Sequence, residues 1–286
     1  MHQERFCDSS VREAYATLLD EGQYLGSVST IYRVLRGVGE TGERRRIAVH
    51  PPTVKPELVA TAPRQVWSWD ITKLLGPRKW TYYYLYVLLD VYSRYVVGWL
   101  LADCESKLLA KYLMAESIGR EKISRNTLTI HADRGSSMTS KPVALLLADL
   151  GVIKSHSRPH VSNDNPFSEA QFKTLKYRPG FPERFENIQQ ARLFCRKFFG
   201  WYNEEHRHTG IGLLTPSDVH HGRAEERRDQ RRTILHGAWE AHPERFVRGK
   251  PEPLALPEAA YINRPTPLAV ESSPAPASSP LLLPVP

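Results

Sequence analysis

At 286 residues the chain has room for one core of ordinary domain size with smaller modules around it. Its 39 Lys and Arg against 31 Asp and Glu leave a formal charge of +8, a balance that suits a polyanionic partner but is shared by ribosomal, membrane-surface and plainly soluble proteins. The sequence contains no signal-peptide pattern and no 18-residue apolar span, and Cys7, Cys104 and Cys195 are too scattered for a disulfide framework or a compact zinc module, so a soluble cytoplasmic protein is expected.

Residues 11–36 predict two or three short helices in a helix-turn-helix outline. Val11, Ala14, Leu18 and Leu19 form one apolar face, and Ser29 is placed to cap a segment carrying Ile31, Tyr32, Val34 and Leu35. Such outlines also occur in helical hairpins that bind nothing. Residues 37–64 are rich in Gly, Arg and Pro and predict a linker in which Arg44, Arg45 and Arg46 can reach phosphates.

From Val66 the pattern turns to strands at 66–75, 80–92 and 94–102, divided by Gly76-Pro77 and Ser93-Arg94 and read as three antiparallel neighbours. A helix at 106–119, a strand at 128–131, a helix at 140–150 and a strand at 152–156 follow, so the sheet is mixed. Helices at 166–177 and 188–204 come next, and Leu193, Phe194, Phe198 and Trp201 on the second are expected in the core. The Arg-rich run 223–232, with Glu225, Glu226 and Asp229, predicts a solvated helix face. Seven prolines between 265 and 286 predict a disordered tail.

Three acidic residues stand out. Asp70 closes Val66-Trp67-Ser68-Trp69-Asp70, a central-strand pattern in which an ionised group needs a partner, either a metal or a cation such as Lys73 or Arg134. Asp133 follows an apolar strand in His131-Ala132-Asp133-Arg134-Gly135-Ser136, a position that fits a catalytic group at a strand end and turn chemistry equally. Glu169 follows Asn163-Asp164-Asn165-Pro166, where Asp164 or Asn165 can cap a helix, and it stands four residues before Lys173 at the spacing of a surface ion pair. His131 is read as structural, His156 and His160 as loop residues, and Tyr82, Tyr83, Tyr84 and Tyr86 as a sheet face or subunit interface.

The stretch Pro159-His160-Val161-Ser162-Asn163-Asp164-Asn165-Pro166-Phe167-Ser168-Glu169-Ala170-Gln171-Phe172-Lys173-Thr174-Leu175-Lys176-Tyr177 is similar to the integrase-core transposases of bacterial insertion sequences. Trp201-Tyr202-Asn203 with Arg207, His208, Thr215 and Pro216 extends the likeness, which covers roughly residues 25–220 and holds especially for the second-frame proteins of the insertion-sequence-three family. The resemblance implies a ribonuclease-H-like α/β fold, a mixed sheet flanked by helices, with the family's Asp-Asp-Glu triad on Asp70, Asp133 and Glu169. It also implies a phosphate contact at Lys176. Lys173 on the same helix and Arg44 and Arg45 in the basic linker are further DNA-contact candidates, and Thr30 and Arg33 join them because Ser29–Leu35 resembles the end of the family's second helix-turn-helix.

On that reading the chain divides into a partial helix-turn-helix region at 1–40, a basic linker at 41–64, a catalytic core at 65–220, a basic extension at 221–263 and a tail at 264–286. Two Mg²⁺ or Mn²⁺ ions are expected per site, with Asp70 bridging both, Asp133 holding one and Glu169 the other, since hard cations take carboxylate and phosphate oxygens. The expected partners are element-end and target DNA, further copies of the chain, and an upstream-frame product that completes end recognition at the bacterial nucleoid. The rival readings are a transposase-derived DNA-binding protein and a nuclease that cuts without joining.

Overall fold

The structure, a computed structural model, describes residues 4–6, 9–39, 56–133, 140–158 and 164–264. Two compact units divide it, Met1–Thr53 and Val54–Pro286. In the first, α1 (Val11–Asp20) starts from a capping box in which Ser10 and Glu13 satisfy each other's backbone, and α2 (Val28–Gly37) packs on it through Val11, Ile31 and Leu35. Ser27, not Ser29, caps α2, because its hydroxyl stands three residues ahead of the Thr30 amide it accepts from. Leu19 lies off the α1 apolar face, 43% exposed.

The second unit is built on a five-stranded sheet. Its strands are β2 (Val66–Leu75), β3 (Tyr82–Asp90), β4 (Val96–Ala102), β5 (Thr129–Ala132) and β6 (Ile153–His156), in the spatial order β4-β3-β2-β5-β6. The first three pair antiparallel, and β5 joins β2, and β6 joins β5, in parallel, so the sheet is mixed as the alternation of strands and helices predicts. This meander followed by two parallel additions beside the first strand is the ribonuclease-H-like arrangement.

Helices cover both faces. The first is lined by Trp67, Trp69, Tyr86, Leu88, Ile130 and Ala132 and carries α3 (Lys107–Arg120) and α4 (Lys141–Asp149). The second is lined by Leu74, Leu85, Val87 and Leu89 and carries α5 (Pro166–Lys176) and α6 (Ile188–Glu204). The two-residue period of β2 therefore sends its tryptophans to one helical layer and Ser68, Asp70, Thr72 and Leu74 to the other. The tyrosines of β3 split likewise, with Tyr84 and Tyr86 in the first core and Tyr83 against the second.

On α6, Phe198 is buried and Phe194 and Trp201 pack partly into the core, whereas Leu193 is 52% exposed because it falls on the outer side of the helix. Asn203 explains part of the Trp-Tyr-Asn motif: its carboxamide accepts from Val96 N at 2.9 Å and donates to Val96 O at 3.1 Å, closing the free edge of β4 much as another strand would.

Residues 58–60, expected in a linker, form a short strand β1 (Leu58–Ala60) that pairs antiparallel with β7 (Ala260–Ile262) near the other end of the unit. Between them in sequence lie α7 (Pro216–His220), capped by Thr215, and α8 (Ala224–Ala241), of which only Ala224 is buried. That exposure agrees with the solvated face read from its charges. Cys7, Arg44, Arg45, Arg46, Arg134, His160, most of the linker and the proline-rich tail lie outside the described residues.

Candidate active site

Parallel pairing of β2 with β5 aligns Trp67 with Ile130, Ser68 with His131 and Trp69 with Ala132. The next position on each chain is Asp70 and Asp133, so strand register alone sets the two carboxylates side by side at the point where β5 ends. Both line one cleft of about 160 Å³ with Trp69, Ile71, Lys73, Tyr84 and Glu105. Ser157, just past β6, donates to Asp133 Oδ1 at 2.6 Å.

The third carboxylate arrives on α5. Asn165 occupies its N-cap position and Pro166 its first turn, but the Asn165 side chain is used across the layer instead of for capping. Ser68 Oγ donates to Asn165 Oδ1, so the Ser168 hydroxyl, 2.5 Å from Ser68 Oγ, must be the donor in that second contact. All three side chains are buried. Two turns on, Lys176 Nζ donates to Thr72 Oγ1 at 2.7 Å. Helix α5 is thus pinned to β2 at Ser68 and at Thr72, and Glu169 and Lys176 both act on Asp70, which lies between those pins.

Electrostatics reflect the crowding. Burial lifts the Asp70 carboxyl from its ordinary 3.8 to about 7; the Ile71 amide opposes the rise, Asp133 and Glu169 add to it, and Lys176 offsets part of it. Burial also pulls the Lys176 ammonium below its ordinary value, with Asp70 pulling it back up. Lys73 and Arg134 were the cations expected at Asp70. Arg134 is outside the described residues, and Lys73 Nζ lies instead over the rings of Tyr82 and Tyr84, 5.4 and 5.5 Å from their centroids. No ion pair joins Glu169 to Lys173 among the described residues; the cation that acts on Asp70 is Lys176.

His131 is fully buried and structural, as its strand position suggests. Its Nε2–H donates to the Asp164 carbonyl at 2.8 Å, which leaves Nδ1 to accept from Ser155 Oγ at 3.0 Å. Burial holds its pKa below the ordinary value, in keeping with a neutral ring. The Asp164 side chain takes Arg158 through the backbone N–H, Nε and Nη2, at 2.9, 3.0 and 3.1 Å, and Asn263 Nδ2 at 2.9 Å. Asn263 also donates to Pro56 O, so the β1–β7 ribbon is tied to the segment that launches α5. Sequence reasoning missed Ser68, Ser157, Ser168 and Asn263 because each acts across a tertiary contact with no local pattern.

Among the described residues no three His, Cys, Asp or Glu side chains close to metal-holding distance. The donor set nevertheless fits a hard divalent cation, because its ligands are carboxylate oxygens and Asp70 bears a repulsion that added positive charge would relieve.

An integrase core domain family matches residues 60–162, and a second integrase core domain family matches 150–216. The chain carries integrase core domain matches from residue 60 to residue 216 and is similar to transposases of bacterial insertion sequences. It is 31% identical over 169 residues to the transposase for insertion sequence element IS904 of Lactococcus lactis, a match covering 59% of this chain and 66% of that one. It is 30% identical to the transposase InsF for insertion sequence IS3A of Escherichia coli, covering 57% and 56%. The matched part thus spans less than two thirds of these relatives. Among solved structures, the HTLV-2 integrase catalytic core domain in complex with magnesium aligns at 16% identity with a TM-score of 0.42, covering 56% of this chain and 98% of that one. Asp70, Asp133 and the first turn of α5 all fall inside the matched integrase core.

Proposed function

We propose that the chain catalyses divalent-metal-dependent cleavage and strand transfer of insertion-sequence DNA, with Asp70, Asp133 and Glu169 as its catalytic carboxylates. The reading is carried by one observation: Asp70 lies next to Asp133 by strand register and is acted on by Glu169 and Lys176 from α5. Those three carboxylates would hold Mg²⁺ or Mn²⁺. Two such ions, when bound, supply neutralising charge to the entering and departing oxygens of a phosphodiester.

The rest falls to side chains of the chain. Ser157 fixes one oxygen of Asp133, and the Ser68–Asn165–Ser168 contacts set the height of Glu169 against β2. Lys176 places a cation next to Asp70, where it can meet the scissile phosphate, and exposed Lys173 on the same helix meets a neighbouring one. In the N-terminal unit, exposed Arg33 with Thr30 on α2 is the candidate contact to the terminal repeat, and Arg44 and Arg45 are candidates for its backbone. Homo-oligomers on DNA, and an upstream-frame protein for end recognition, complete this reading. Among the described residues no helix is long and apolar enough to cross a membrane.

The test incubates the purified chain with Mg²⁺ or Mn²⁺, a labelled element-end duplex and a target plasmid. Joined product that disappears on chelation supports the reading. Cleavage without joining would reduce the protein to a nuclease, and metal-independent product would remove the carboxylates from the chemistry.

A further inference from the structure

The turn between β2 and β3 is braced more heavily than a loop needs to be for connection alone. Gly76 N donates to Thr81 O at 2.9 Å, Arg78 N to Thr81 Oγ1 at 3.1 Å and Thr81 Oγ1 back to Arg78 O at 2.7 Å. From the segment before α6, Arg184 Nη1 donates to both Gly76 O and Arg78 O at 3.0 Å. A Cβ on Gly76 would come within 2.6 Å of Thr81 Oγ1, so the turn admits nothing larger there.

At the tip of this rigid turn stands Trp80, with φ at +70° and 76% of its surface exposed. A tryptophan in the left-handed region is strained, and one left in water contributes little to the core. Arg78 and Lys79 beside it are exposed as well, and Lys79 Nζ lies 5.4 Å from the Trp80 ring centroid. Down the same hairpin, Lys73 stands over Tyr82 and Tyr84, and Lys73 and Tyr84 are walls of the cleft that holds Asp70 and Asp133. Aromatic faces alternating with cations thus run from the carboxylates to the hairpin tip.

The geometry points to the β2–β3 tip as a second DNA contact, in which Trp80 stacks on an unpaired base while Arg78 and Lys79 hold the flanking phosphates. An indole face meets a base face only where the base has left the helical stack, so the ligand is a flap, overhang or splayed strand. Six residue steps along β2 lead from Asp70 to Gly76, about 20 Å at roughly 3.3 Å each, which equals about six nucleotides of duplex, at roughly 3.4 Å each, from the cleaved phosphate. The inference rests on the proposed action on DNA and adds where, and in what form, the strand is gripped.

Fluorescence anisotropy with the full chain tests it, using one duplex blunt and the same duplex carrying a six-nucleotide single-stranded extension. Trp80→Ala should weaken binding to the extended DNA about tenfold while leaving the blunt duplex and the salt slope unchanged, as expected for loss of one base stack. Trp80→Phe should retain most of the affinity, and the Arg78→Ala, Lys79→Ala double variant should lower the salt slope by about 1.4, for two single-strand phosphates. If Trp80→Ala binds both DNAs as the parent does, the tip contact is refuted while the functional reading stands. A parent chain that binds neither DNA overturns both, and loss of self-association with unaltered DNA binding would reassign the tip to a protein contact.

Discussion

Asp133 stands abreast of Asp70, one position beyond the Trp69–Ala132 pair of the parallel β2–β5 ladder, and takes the Ser157 hydroxyl from just past β6. The two carboxylates are held differently: Asp133, one residue past β5, accepts a side-chain hydrogen bond from Ser157, whereas Asp70, within β2 and accepting from the Ile71 amide at 2.7 Å, is pressed upward in pKa by burial and by the other carboxylates. Ser157→Ala should leave folding and DNA affinity intact while lowering the strand-transfer rate several-fold. Single-turnover kinetics beside a melting curve checks this; an unchanged rate would mean that Asp133 needs no such donor.

The seam between β2 and α5 is polar at its buried end. Replacing Ser68 with Ala removes the donor to Asn165 and the acceptor of Ser168, leaving two buried groups to find other partners. A loss of about 1–3 kcal/mol is expected, measurable by urea unfolding. A loss below about 0.5 kcal/mol would show that the seam does not hold α5 in place.

Gly98 on β4 faces α3 so closely that an added Cβ would meet Ser117 Oγ at 2.2 Å. Gly98→Ala should cost about 1–3 kcal/mol by overpacking. Ser117 Oγ is buried and has no hydrogen-bond partner among the described residues, so Ser117→Ala alone should be close to neutral. The double variant should recover most of the loss, since the next contacts lie at 3.2 and 3.4 Å. Simple additivity of the two changes would contradict the packing.

Arg158 and Asn263 hold the Asp164 carboxyl down from its ordinary 3.8 to about 2. A carboxylate depressed on folding stabilises the fold fully above its unfolded pKa and loses that contribution as pH falls through the folded one. The parent should therefore lose melting temperature between pH 3.8 and about 2 more steeply than Asp164→Asn, and the variant should melt lower at neutral pH. Parallel pH profiles for the two proteins would remove Asp164 as an anchor of α5.

The strand at 66–75 and the helix beginning at Pro166 were legible because hydrophobic period and helix-start chemistry are local signals, and local signals also placed Asp70, Asp133 and Glu169 on the elements where they lie. Register is not local. Asp70 and Asp133 are brought level by hydrogen bonding between chain segments more than 60 residues apart, and no periodicity encodes that match. The β1–β7 pair escaped notice for the same reason, as each strand is only three residues long and its partner lies at the far end of the unit. Lys73 was the nearer cation to Asp70 in sequence, but it points to the opposite face of β2, where two tyrosines receive it. Helical spacing of Glu169, Lys173 and Lys176 was visible; that Lys176 would be the one seated on β2 depended on where the helix docks.

The central claim is tested most directly by strand transfer with Asp70→Asn, Asp133→Asn and Glu169→Gln, each assayed with Mg²⁺ and with Mn²⁺ beside a DNA-binding measurement. Each variant keeps side-chain shape and removes one negative charge. All three should bind element-end DNA like the parent and yield no detectable joined product. Full activity in any one of them would show that the carboxylate concerned is not part of the catalytic set.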